Sequence, residues 1–87
     1  MEHSYVDLAL TRYEIVHGGH VPQPSRGASY EVHHGGRHYI VLARDARHIL
    51  GVYQVYRGAL RVMARCPRPI VAGHRERVLR HAHAASA

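Results

Sequence analysis

Tyr13-Glu14-Ile15-Val16-His17-Gly18-Gly19-His20 and Tyr30-Glu31-Val32-His33-His34-Gly35-Gly36-Arg37 repeat one pattern, seventeen residues apart. Each copy is a β-prone run that ends in Gly-Gly, and paired glycines supply the positive φ angles of a tight hairpin turn. Read as hairpins, the first copy pairs residues 11–17 with 20–23 and the second pairs 29–34 with 37–44. Pro22 and Pro24 shorten the first return strand and place it at an edge, because proline lacks the N–H a ladder needs. A third hairpin follows from the β-branched and aromatic run Ile49–Tyr56, a turn at Arg57-Gly58 and a return over 59–65. Asp45-Ala46-Arg47-His48 links the second hairpin to the third, and Cys66-Pro67-Arg68-Pro69 stops the sheet.

The apolar period changes beyond Ile70. Val71, Val78, Leu79, Ala82 and Ala85 fall on one helical stripe opposite Glu76, Arg77, Arg80 and His83. Pro69 suits the first helical turn. At the other end, Tyr5, Leu8, Ala9, Tyr13 and Val16 fit a helix, whereas Val6, Leu8 and Leu10 fit a strand. The reading favours a short helix or an irregular lead-in over residues 1–10. The expected fold is mainly β (α+β): a small antiparallel curled sheet or SH3-like barrel of five to six strands, built from three hairpins, with one C-terminal α-helix. Residues 1–87 form one domain in this reading, with the sheet over 11–66, the helix over 69–84 and a frayed tail over 85–87. A flat two-layer α+β arrangement is the alternative.

Composition agrees with a small, strongly basic binding domain. The 87 residues carry 12 arginines, no lysine and 6 acids, for a net charge of +6. Val, Ile and Leu total 20, just above the level at which disorder becomes the better reading, and a domain this small is near the lower limit for folding alone. Missing Lys, Asn and Phe codons point to a GC-rich genome, bacterial or phage. No apolar run reaches the roughly 18 residues of a membrane helix, and the start MEHSYVDLAL lacks the features of a signal peptide. A cytoplasmic protein with no membrane partner is the expectation. The single cysteine, Cys66, reads as a small buried hydrophobe.

Alternation along strands sorts the side chains by face. The Gly35-Gly36 turn sets His34 opposite Arg37, His33 opposite His38, and Val32 opposite Tyr39. Tyr30, Val32, Tyr39 and Val41 then share an apolar face, with Glu31, His33, His38, Ile40 and Leu42 on the other. In the third hairpin, Gly51, Tyr53, Val55, Leu60 and Val62 form the face suited to the core. Its opposite face carries Val52, Gln54, Tyr56, Arg61, Met63 and Arg65.

That opposite face has the ingredients of a nucleic-acid platform: arginine for phosphate, tyrosine for stacking on an unpaired base, glutamine for a base edge. The candidate contact residues are Gln54, Tyr56, Arg57, Arg61 and Arg65, with Arg44 and Arg47 in the preceding connection. Single strands are the favoured ligand. The competing reading is a protein-interaction module, such as a phage or mobile-element inhibitor, docking on an acidic partner or a nucleic-acid-binding groove. The small core and exposed edge strands also favour a homodimer.

His74, Arg75, Arg77, Arg80, His81 and His83 give the C-terminal helix a second basic surface. Among the ten histidines, His17/His20 and His33/His38 would face each other across turns. With no cysteine pair, no HExxH and no third ligand at suitable spacing, neither a metal nor another cofactor is expected. Glu31, His33 and His38 on one face could serve metal-free RNA cleavage, but no catalytic motif accompanies them, and the reading is of a non-catalytic protein.

Overall fold

The computed structural model describes residues 4–19 and 21–85, side chains through His81. Two helices enclose a four-stranded antiparallel sheet: α1 (Tyr5–His17), β1 (Tyr30–His34), β2 (Arg37–Asp45), β3 (His48–Tyr56), β4 (Ala59–Val62) and α2 (Arg68–Ala85). The strands lie in sequence order in an open sheet, so β1 and β4 are its edges. This is an α+β fold of four strands, where the sequence reading expects a curled sheet or barrel of five or six.

The missing strands belong to the first copy of the repeat. Tyr13–His17 is the end of α1, not the arm of a hairpin. Ser4 starts this helix by accepting a hydrogen bond from the Asp7 N–H at 3.1 Å, leaving Asp7 in the first turn where a carboxylate suits the helix dipole. Gly18 ends it at φ 71°, its N–H donating to the Glu14 carbonyl. One Gly-Gly therefore stops a helix, and the other turns a hairpin. The proposed pair of His17 with His20 goes with the lost hairpin; His17 lies on α1 against Tyr13, and His20 lies outside the described residues.

The second and third hairpins form with the expected registers. His34 opposes Arg37, His33 opposes His38 and Val32 opposes Tyr39 across a turn with Gly35 and Gly36 both at positive φ. Val55 opposes Leu60 and Gln54 opposes Arg61, although β4 ends at Val62 rather than at residue 65. Beyond Tyr30 strand β1 gives out, and a 3-10 turn over Arg26–Ala28 takes its place beside β2. There the Ser25 N–H donates to the Ala43 carbonyl at 2.8 Å, and the Ala43 N–H donates to Ser29 Oγ at 3.2 Å. Asp7 of α1 pairs with Arg26 in that turn.

Each face of the sheet is buried by one helix. Ala9 and Tyr13 of α1 cover Ile40, Leu42 and Tyr53. Ile70 and Val78 of α2 cover Tyr30, Tyr39, Val41, Ala43 and Val52. The face read as opposite the core is therefore partly core itself: Val52 is buried and Met63 packs against the α2 cluster. Two further core assignments shift. Val62, expected inside, is 64% exposed because β4 is an edge strand that α1 only partly overhangs. The buried stripe of α2 is Ile70, His74 and Val78, one residue round from the expected one, so Val71 and Leu79 face outward. Ala82 and Ala85 of the expected stripe, and His83 of the basic face, lie beyond the described side chains.

His74 is the polar pin of this core. It is 3% exposed, with Nε2 2.9 Å from the Asp45 carbonyl and Nδ1 2.7 Å from the Tyr30 hydroxyl. A carbonyl only accepts, so Nε2 carries a proton and donates, and in the neutral ring Nδ1 accepts from the Tyr30 O–H. From sequence His74 belongs to an exposed basic surface of the helix; burial with two partners overturns that. Asp45 organises the neighbouring turn. Its Oδ1 accepts the N–H groups of Arg47 at 2.8 Å and His48 at 2.9 Å, and contacts His48 Nδ1 at 2.7 Å.

His74→Ala should destabilise the fold by about 2–4 kcal/mol in urea denaturation, because it strands two polar groups and opens a void. Tyr30→Phe should cost about 0.5–1.5 kcal/mol, and Leu79→Ala should stay within about 0.5 kcal/mol. Asp45 adds a pH signature. The backbone N–H of Arg47, then the His48 imidazole, pull its carboxyl down to about 2. The ionised carboxylate therefore supports the fold above the usual aspartate range, and that support fades as pH falls through about 4 toward 2. Acid titration followed by circular dichroism should show this loss in the native protein, and Asp45→Ala should lack it.

Candidate nucleic-acid interface

The registers arrange the α2 face in rows across the strands. Tyr30, Val41 and Val52 form one row, directly beneath α2. The next row is Val32, Tyr39, Gln54 and Arg61. The last, at the turns, holds His34 opposite Arg37 and Tyr56 opposite Ala59. Helix α2 is held at the first row and leaves the outer rows progressively open. Tyr39 is still buried, Gln54 is half-buried, and Arg37, Tyr56 and Arg61 are exposed.

Arg37, Gln54, Tyr56 and Arg61 border a shallow hollow of about 500 Å³ at this end of the sheet. Beside it, the Arg57 guanidinium lies over the Tyr56 ring, 5.3 Å from its centroid. None of these three arginines has an acidic partner among the described residues. The patch is cationic, with an aromatic ring and an amide at its centre.

Arg57 occupies an unusual position. It is the one non-glycine residue at positive φ among those described, at 51°, and Gly58 follows at 77°. Such a turn favours Asn or Gly at its first central position, and an ordinary side chain there costs on the order of 1 kcal/mol. The strained residue is thus also the one whose guanidinium lies over Tyr56.

The structure divides the seven residues read from the sequence. Gln54, Tyr56, Arg57 and Arg61 come together at the hairpin-turn end. Arg44, Arg47 and Arg65 lie toward the other end of β3, a nine-residue strand of about 26 Å. Arg44 is spent on Asp45, with Nε 3.5 Å from Oδ2. Arg37, outside those seven, joins the turn-end group: it lies opposite His34, and extending the register one strand further puts it beside Tyr56. On α2, Arg75, Arg80 and His81 are exposed, while Arg77 is partly buried and reaches back to the Ile70 carbonyl at 3.4 Å.

The histidine pair on the other face forms as a stack. The His33 and His38 rings are 4.2 Å apart and 14° from parallel, Tyr5 meets His38 edge-on at 5.5 Å, and Glu31 Oε2 is 3.3 Å from His38 Nε2. Parallel stacking turns the ring nitrogens alongside each other rather than toward a common point. No group of three or more His, Cys, Asp or Glu positioned to hold a metal occurs among the described residues. No helix described here is long and apolar enough to cross a membrane.

No protein-family model, curated protein or solved structure matches this chain.

Arg57→Asn should separate stability from function. Relief of the left-handed strain should raise unfolding stability by about 0.5–1 kcal/mol in urea. The same change should weaken ligand binding at the Tyr56 patch, measured by titration of tyrosine fluorescence.

Proposed function

We propose that this protein binds single-stranded nucleic acid, without catalysis, through the open end of its α2 sheet face. One observation carries the reading: Arg37, Arg57 and Arg61, unpaired with any described acid, surround a half-exposed tyrosine on a surface that α2 leaves uncovered. Each component has a matching chemistry. The guanidiniums take phosphates, in sequence-independent contacts that set affinity. Tyr56, with the Arg57 guanidinium over its ring, offers a π surface to an unpaired base. Gln54, with both a donor and an acceptor, faces the same hollow and can meet a base edge.

The surface is broad and shallow, which suits a strand laid across it more than a small molecule enclosed by it. A duplex would bring phosphates to the arginines but hide the bases from Tyr56. The net charge of +6 adds a long-range attraction for any polyanion, which speeds encounter and does not select the site.

Oligothymidine should bind more tightly than a duplex of equal length. With three arginines on phosphates, log affinity should fall against log salt with a slope of about −2. Tyr56→Ala should lose roughly 1–3 kcal/mol with the slope unchanged. Arg61→Gln should weaken binding and flatten the slope by about 0.7. Equal affinity for duplex, or an effect of Arg75→Gln and Arg80→Gln larger than that of Tyr56→Ala, would contradict the reading. Absence of binding at low salt would leave the basic surface to an acidic protein.

A further inference from the structure

At the opposite end of the sheet, a cleft of about 410 Å³ opens between β3, the segment after β4, and the first turns of α2. The side chains of Ile49, Val52, Met63 and Val71 give it an apolar portion. Cys66 and the back of His74 close it from the α2 side. Arg47, from the β2–β3 turn, and Arg75, from α2, border its mouth, and both are exposed. Neither has an acidic partner among the described residues; the nearby Asp45 is held by Arg44, His48 and the turn N–H groups.

The cleft is in the size range of small-molecule sites, with an apolar portion and a few charged groups at one side. The one buried polar side chain in its lining, His74, is already satisfied. His74 spends both ring nitrogens on Tyr30 and Asp45, so the wall it offers has no free donor. A ligand must then contribute apolar surface to the interior and negative charge to the mouth. We propose that this cleft binds a small amphipathic carboxylate, an alkyl or aryl acid, with its apolar part against Ile49, Met63 and Val71 and its carboxylate between Arg47 and Arg75.

Two features favour this class over others. A planar carboxylate can take paired N–H donors from a guanidinium. The apolar wall would leave a bare inorganic anion in contact with groups that cannot solvate it. The site lies at the far end of β3 from the Tyr56 patch, so the two surfaces are independent. Arg47 serves the cleft and not the nucleic-acid face.

Cys66 is the sole cysteine of the chain and supplies a built-in reporter. Burial pushes its thiol up from the ordinary range, so its alkylation is best followed at mildly alkaline pH. Decanoate should slow iodoacetamide alkylation of Cys66 in the native protein in a saturable manner. Acetate, which lacks the apolar part, and decyltrimethylammonium, which reverses the charge, should not. Arg47→Gln and Arg75→Gln should each raise the half-protecting decanoate concentration about tenfold, while Arg57→Gln and Arg80→Gln should leave it unchanged. Isothermal titration of decanoate into the same variants should give the same order. Equal protection by decyltrimethylammonium, equal loss with Arg80→Gln, or no saturable protection at millimolar decanoate would overturn the proposal. Since Arg57→Gln affects only the Tyr56 patch, failure of one site and failure of the other are told apart.

Discussion

The buried imidazole of His74 is the contact on which the arrangement of α2 depends. A small sheet can hold a helix by apolar packing alone, but such packing tolerates sliding. His74 removes that freedom by donating to the Asp45 carbonyl and meeting the Tyr30 hydroxyl, at the ends of two different strands. Both partners lie at the same end of the sheet. Helix α2 is therefore fixed over Tyr30, Val41 and Val52, and the rows near the Gly35-Gly36 and Arg57-Gly58 turns are left uncovered. An open surface on the face of a four-stranded sheet is a consequence of where the polar pin sits.

Two groups of arginines acquire different meanings from that placement. Near the turns, Arg37, Arg57 and Arg61 flank an exposed tyrosine on a nearly flat surface. At the pinned end, Arg47 and Arg75 stand over an apolar cleft that exists because α2 meets the end of β3 there. Charge alone would merge these into one basic field. The sheet separates them by most of the length of β3, and the side chains beside each group differ: a tyrosine and an amide near the turns, an apolar cleft at the pinned end. Arg57 is distinctive in another way: the turn requires a left-handed backbone at this position, but Asn or Gly would supply it at lower cost than arginine.

Much of this was legible in the residues. Two-residue turns fix a register, so Gly35-Gly36 was enough to place His33 against His38 and Val32 against Tyr39. Arg57-Gly58 likewise placed Gln54 against Arg61. The first copy of the repeat was misread because Tyr13–His17 is β-prone when taken by itself. Its structure is decided by residues outside it: Ser4 and Asp7 start a helix, and Ala9 and Tyr13, one turn apart, cover Ile40, Leu42 and Tyr53. Without that helix the second sheet face would remain in water, and tertiary burial outweighs the local preference. With the core assigned to the Tyr53 and Leu60 face alone, the face of Val52 looked free; α1 in fact takes the first face and α2 the second. His74 was hidden for another reason. A histidine among arginines reads as surface, and only the backbone position of Asp45 and the Tyr30 hydroxyl show that it has partners. The division of the seven candidate residues between two ends of the sheet needed strand lengths, which turn signals do not provide.

The central claim is that the uncovered turn end of the α2 face is the surface for unpaired bases. Its most direct test is a ¹⁵N–¹H correlation spectrum of the whole chain recorded during titration with oligothymidine at low salt. The account predicts that the backbone amides of Arg37, Gln54, Tyr56, Arg57 and Arg61 and the Gln54 side-chain amide shift together and saturate, with Ile70 and His74 unmoved. Shifts centred on Arg75 and Arg80 of α2, or spread evenly over every arginine without saturation, would contradict it.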